Sequence, residues 1–274
     1  MIKNSKLQNI VSQSIFGSIG HIGSKVDLDN FIEYAKYNSD FLNSFPQLIF
    51  SFNGDGSLIK ECNRISSFID SPIEVSVAQN LGHTFGTFLL DYNVFELAKK
   101  YSYKYLWKFS NDVIVNKDIF ETQITSDIDF YYTNNIGFNE FRFQTPEELL
   151  KNIVDQNYYY PQTNHYIIKN SATFHPPKEM ILQLKQEFDS IRKEKPDIAP
   201  WHAIRGCDCE SMLMQTVEKN NFSKQYLLPK KDTELLINFI QTNQIHDGSH
   251  KNIMFSSLGN LCHLQFPNHP VYVI

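Results

Sequence analysis

The strongest constraint in this sequence is an alternation. Four short apolar runs, at residues 9–16, 47–52, 73–77 and 103–109, are each closed by small or polar residues and separated by stretches with helical spacing. Residues 27–37 read as a helix capped by Asp27 or Asp29, ended by Phe45-Pro46. Residues 57–68 allow a short helix, and residues 87–101 carry an apolar helical face. Repeated strand–helix–strand units give a mainly parallel central sheet with helices on both faces, the α/β class. Ligands of such sheets gather outside the carboxyl ends of the strands. The runs end at Gly17, at Asn53-Gly54-Asp55-Gly56, before Asn80 to Gly86, and at Ser110-Asn111-Asp112, so these four places are expected to converge.

Composition narrows the class. Of 274 residues, 42% are apolar and 20% charged, enough for a large core and against global disorder. The net charge of -5 and the lack of any Lys/Arg run argue against a nucleic-acid partner. The first residues carry no apolar signal segment, and no run nears the roughly 18 apolar residues of a membrane span. The expectation is a cytoplasmic protein with reduced Cys62, Cys207, Cys209 and Cys262. Cys207-x-Cys209 lacks the matching pair of a zinc site.

Beyond residue 115 the pattern changes. Residues 117–125 read as a helix and 128–132 as a strand leading to Asn134-Asn135-Ile136-Gly137. Residues 145–154 form a helix opened by Thr145 and Pro146, and 158–161 a loop. A strand at 165–169 and helices at 179–193, 208–218 and 233–242 follow, then a polar tail from His246. No repeat or linker divides the chain, so a single domain over residues 1–274 is expected.

The chemistry centres on residues 103–115, an aromatic strand that delivers Ser110-Asn111-Asp112 to the sheet edge before Val113-Ile114-Val115. Asp112 is either a turn aspartate or an oxygen ligand for Mg²⁺ or Mn²⁺, hard cations that share such ligands with phosphates. Asn53 and Asp55 belong either to a ligand site or to a tight turn. Asp208 and Glu210 open the helix at 208–218, where acids commonly cap. Trp201-His202 lies just upstream, either the wall of a ligand site or a core tryptophan with its neighbour. In His246-Asp-Gly-Ser-His-Lys251 two histidines, a glycine and a lysine cluster.

Asn80-Leu-Gly-His-Thr-Phe-Gly86, the helix that follows, and residues 105–115 together resemble the nucleotide-sugar half of glycosyltransferases with the GT-A, Rossmann-like fold. In that family an Asn-x-Gly segment precedes a helix, and the next strand ends in an Asp-x-Asp motif; here Ser110 stands where the first acid would be. The resemblance implies a nucleotide-sugar-binding half at about 1–115 and an acceptor-binding half with a C-terminal tail at about 116–274. It implies a nucleotide-sugar donor, a glycan or other hydroxyl acceptor, and a divalent metal, Mn²⁺ or Mg²⁺, held by Asp112 and His246, with His250 as the alternative to His246. Phe16, Gly17, Asn53, Asp55, Asn80, Gly86, Asn111 and Lys251 would contact the donor. Glu210, with Asp208 as its competitor, would be the base of an inverting transfer, since a sugar hydroxyl attacks only once its proton is taken; a retaining transfer would not use it that way. Two other functions remain: a nucleotidyltransferase, using Gly17-Ser-Ile-Gly-His-Ile-Gly-Ser-Lys25 as a phosphate loop, and a sugar-binding, non-catalytic relative.

Overall fold

The computed structural model describes residues 6–110, 113–115, 128–134, 161–226 and 261–263. The chain opens with α1 (Lys6–Val11), then β1 (Ser14–Ile22), α2 (Lys25–Tyr37), α3 (Ser39–Leu42) and β2 (Leu48–Gly54). Next come α4 (Gly56–Glu61), a 3₁₀ turn (Cys62–Ser67), β3 (Ile73–Ala78), α5 (His83–Ala98) and β4 (Tyr105–Ser110). The second half supplies β5 (Val113–Val115), β6 (Phe130–Asn134), β7 (Pro161–Lys169), α6 (Lys178–Glu194), α7 (Pro200–Ala203), α8 (Cys209–Lys219), β8 (Lys224–Tyr226) and β9 (Leu261–His263). The helices expected at 117–125, 145–154 and 233–242, the loops at 135–137 and 158–160, and the tail from His246 lie outside the described residues.

The expected mainly parallel α/β sheet is present. Seven strands run in the order β3-β2-β1-β4-β7-β6-β8. β3, β2, β1 and β4 are mutually parallel, β7 is antiparallel to both β4 and β6, and β6 pairs parallel with β8. Helices cover both faces, and a separate core lies on each. On one face α2, α3 and the 3₁₀ turn pack on an aromatic layer of Phe16, Phe41, Phe45, Phe50, Trp107 and Phe109. Phe41 and Phe45 meet Trp107 edge-on at ring-centroid distances of 5.7 and 5.4 Å, the arrangement the ring quadrupoles favour. On the other face α5, α6 and α8 cover Ile15, Ile19, Ile49, Leu106, Tyr166 and Ile168. Among the described residues no helix is long and apolar enough to cross a membrane.

The first strand departs from expectation. Residues 6–11 are helical, and β1 runs from Ser14 to Ile22 rather than ending at Gly17. Gly17 is therefore an interior strand residue. A β-carbon there would stand 2.6 Å from Val94 Cγ1 of α5 and 2.8 Å from Leu106 Cδ1, so the glycine exists to let the helix approach. The cap of α2 also differs: Ser24 accepts from the Asp27 backbone N–H while Asp27 accepts from the Ser24 N–H, a capping box one turn earlier than Asp27 alone would give.

Two outcomes follow from this packing. Gly17→Ala should destabilise the protein by about 1–3 kcal/mol in denaturant titrations, because the new methyl has to displace Val94 or Leu106. The second concerns His165, which sits under Phe109 with ring centroids 4.5 Å apart and accepts a 2.9 Å hydrogen bond from Trp107 Nε1. Burial, reinforced by the Lys108 charge, lowers its pKa from 6.5 to about 3. The unfolded chain then binds a proton that the folded one refuses, so the stability contribution is complete above about pH 6.5 and is lost as pH falls toward 3. Unfolding free energies measured from pH 7 to 4 should decline by up to roughly 1.4 kcal/mol per pH unit from this group, and His165→Gln should flatten that slope.

Candidate functional site

The carboxyl ends of β1, β2 and β3 and the start of α5 form one polar corner. The parallel register sets His21 beside Asn53, and Asn53 beside Ala78. His21 Nδ1 donates a 2.7 Å hydrogen bond to Asn53 Oδ1. Asn53 is buried, 5% exposed, whereas His21 is exposed, so the pair joins the interior to solvent. The donated proton fixes the imidazole tautomer and leaves Nε2 for a further partner.

Helix α5 reaches the same place from above. Gly82, at φ +85, is its N-cap and supplies no side-chain cap. Asn80 Oδ1 instead accepts the Gly82 N–H at 3.0 Å. Gly86 lies in the first turn, and a β-carbon on it would fall 2.9 Å from Asn53 Nδ2 and 3.9 Å from Asn80 Oδ1. Asn53, Asn80 and Gly86, three of the expected donor residues, are thus brought together. The N-terminal N–H groups and the positive end of the helix dipole make this corner suited to an anion. Below it, Ser51 and Ser76 are paired across β2 and β3, and their buried hydroxyls have no hydrogen-bond partner among the described residues.

Other sequence candidates land elsewhere. Phe16 is fully buried in the aromatic layer, 5.6 Å in ring-centroid distance from Phe109, and Gly17 lies in the sheet interior; neither stands at the strand end. Both placements follow from the longer β1. Asp55 is the N-cap of α4, its Oδ1 accepting from the Ser57 N–H at 2.7 Å, from the Leu58 N–H at 3.3 Å and from Ser57 Oγ at 2.5 Å. The Ser57 hydroxyl first, then the two N–H groups, hold its carboxyl below the usual range. Asp208 caps α8 through Ser211 N–H at 2.7 Å and Ser211 Oγ at 2.8 Å. Glu210 follows in the first turn, half-buried, while the cap is made by Asp208 and Ser211. Trp201, on α7, is 53% exposed, which removes it from the core. Asn111, Asp112, His246 and Lys251 lie outside the described residues.

Two residues emerge that the sequence reading passed over. His21 was hidden because glycines at 17 and 20 read as the end of β1. His263 was hidden in a tail read only as polar, although Leu261-Cys-His-Leu-Gln-Phe266 has the alternation of a strand. β9 pairs antiparallel with β5, and the register sets His263 opposite Val113, the residue after Asp112. Among the described residues no group of three or more His, Cys, Asp or Glu side chains could hold a metal ion.

The corner has a checkable consequence of its own. Gly86→Ala should move Asn53 and break its bond to His21, seen as a shift of the His21 imidazole NMR resonances. Its thermal unfolding should stay near that of the parent, because alanine favours the helix by up to about 1 kcal/mol.

No protein-family model and no curated protein matches the sequence. Two solved structures from Streptococcus pneumoniae TIGR4 are similar to it. One is the apo-form glycosyltransferase GlyE, at 11% identity and a TM-score of 0.42, covering 96% of this chain and 57% of that chain. The other is glycosyltransferase GlyE, at 9% identity and a TM-score of 0.40, covering 92% of this chain and 54% of that chain. The chain spans a little over half the length of these relatives.

Proposed function

We propose that this chain is a glycosyltransferase that moves a sugar from a nucleotide-sugar donor to a hydroxyl of a glycan or related acceptor. The observation that carries this reading is the corner where His21, Asn53, Asn80 and Gly86 meet beneath the start of α5. Side-chain amides and an imidazole suit a nucleoside, and the adjacent helix N-terminus suits its diphosphate. The acceptor oxygen would bond to the anomeric carbon as its proton passes to Glu210 and the bond to the nucleoside diphosphate breaks. Inversion of configuration is the outcome of that single displacement.

A divalent cation, Mn²⁺ or Mg²⁺, would stabilise the charge that builds on the departing diphosphate. The described carboxylates at Asp55 and Asp208 are committed to helix caps, so Asp112 is the ligand to expect. We take His263 as its histidine partner because its strand pairs with the one that follows Asp112, while His246 lies outside the described residues. A nucleotidyltransferase is less well supported, because residues 17–22 of the glycine-bearing run are strand rather than a phosphate loop.

A thermal-shift panel of nucleoside diphosphates and their sugars, with and without Mn²⁺, tests the reading. A ligand at 100 times its Kd adds about 2.7 kcal/mol, an upward shift of several degrees for a chain this size. If no nucleotide raises the melting temperature in either condition, the reading fails. Asp112→Ala should abolish transfer, whereas a binding module would keep its glycan affinity after that change. His263→Ala should remove the Mn²⁺-dependent part of the shift and His246→Ala should leave it; the reverse result would restore His246.

A further inference from the structure

Lys108 occupies the middle of β4, on the face turned toward α5, with 1% of its side chain exposed. Its Nζ lies 3.2 Å from Asp91 Oδ1 of α5, a side chain itself only 6% exposed. The same ammonium donates to the main-chain oxygen of Thr163 in β7 and stands 5.5 Å from the ring centroid of Tyr166, its cross-strand partner. One buried cation therefore ties β4, α5 and β7 together. Helix α8 packs on β7 and on α5, and Met212 and Leu213 share the core that holds Tyr166. The first residue of α8, Cys209, senses the pair: burial pushes its thiol up, Glu210 and Asp91 push it further, and Lys108 opposes them.

An apolar pair would serve the core as well. Buried ion pairs give little or no net stability over well-packed hydrophobic residues of the same volume. Leu106 and Ile168, neighbours of this site, show that the layer accepts aliphatic side chains. What an ion pair adds is a constraint on separation, because a buried charge whose partner moves out of reach is strongly destabilised.

We propose that Lys108 and Asp91 are positioning residues that hold the end of β4 and the first turn of α8 at a fixed separation, setting Glu210 against the reacting centre. This rests on the transferase reading, since it assigns Glu210 its task. Lys108 is two residues before Ser110, where β4 ends and the segment bearing Asp112 begins. The pair thus stands between the strand that ends at Ser110 and the helix that carries Glu210.

The test is the double variant Asp91→Leu with Lys108→Met, which leaves no unpaired buried charge; Asp91→Asn with Lys108→Gln carries the same test if that variant does not fold. For a parent that transfers sugar, the expected result is a kcat reduced at least tenfold with the nucleoside diphosphate Kd within twofold of the parent. An unchanged kcat, or a Kd weakened in step with kcat, overturns the proposal. A parent that neither binds nucleotide nor transfers sugar sinks the transferase reading instead. Hydrogen exchange then decides the strut: amides 209–213 should exchange at least tenfold faster in the variant at matched global stability, and equal exchange overturns it.

Discussion

Everything about the candidate site depends on how closely α5 lies against the sheet. The helix crosses β1 and β2 where Gly17 leaves no room for a methyl group, and its first turn repeats the device at Gly86. Two glycines on opposing elements bring the start of α5 down onto Asn53. Without the first, the helix axis would stand farther from the sheet; without the second, its N-terminus would miss the strand ends. The polar corner is thus a product of backbone proximity, and side chains on the ends of β1, β2 and the 80–86 loop complete it.

The two faces of the sheet divide the labour. The α2 face is filled with rings at centroid distances of 4.5–6.2 Å, from Phe109–His165 to Phe31–Tyr34. Rings packed in that way have few alternative rotamers, so the strands they cover are held in register. The α5 face adds buried polar groups to its apolar core: Ser51, Ser76, Asn53, Asp91 and Lys108. Burying such groups costs stability unless they are satisfied, and the aromatic layer behind them supplies the compensating apolar area. A rigid face thus supports a face on which polar groups can be spent on binding.

Much of this was legible in the sequence because it depends on period and punctuation. The apolar runs 47–52, 73–77 and 103–109 became β2, β3 and β4 nearly as bounded, and Asn-Gly-Asp-Gly and Asn-x-Gly marked the true strand ends. What failed was Gly17, because a glycine that ends a strand and one that admits a helix look the same in one dimension. The difference is tertiary: it resides in Val94, 77 positions downstream by subtraction of 17 from 94. That slip moved the predicted edge from His21 to Phe16 and Gly17, and so replaced a polar contact by two core residues. Around His263 the alternation is visible in the sequence but its place is not, since a three-residue strand gains its position only from the partner it pairs with.

Helix α8 shows how capping can sort two neighbouring acids. Asp208 precedes the helix in an extended backbone, φ -129 and ψ 159, which turns its carboxylate back onto Ser211. Each of its oxygens accepts one hydrogen bond from Ser211, which holds the carboxylate against the helix start. Glu210 lies inside the first turn, where side chains tilt toward the N-terminus and a carboxylate gains from the helix dipole. The cap fixes the start of the helix, and that fixed start determines where Glu210 can reach. The hydrogen bonds of Ser211 give Asp208 the capping role, which leaves Glu210 as the acid of the proposed transfer.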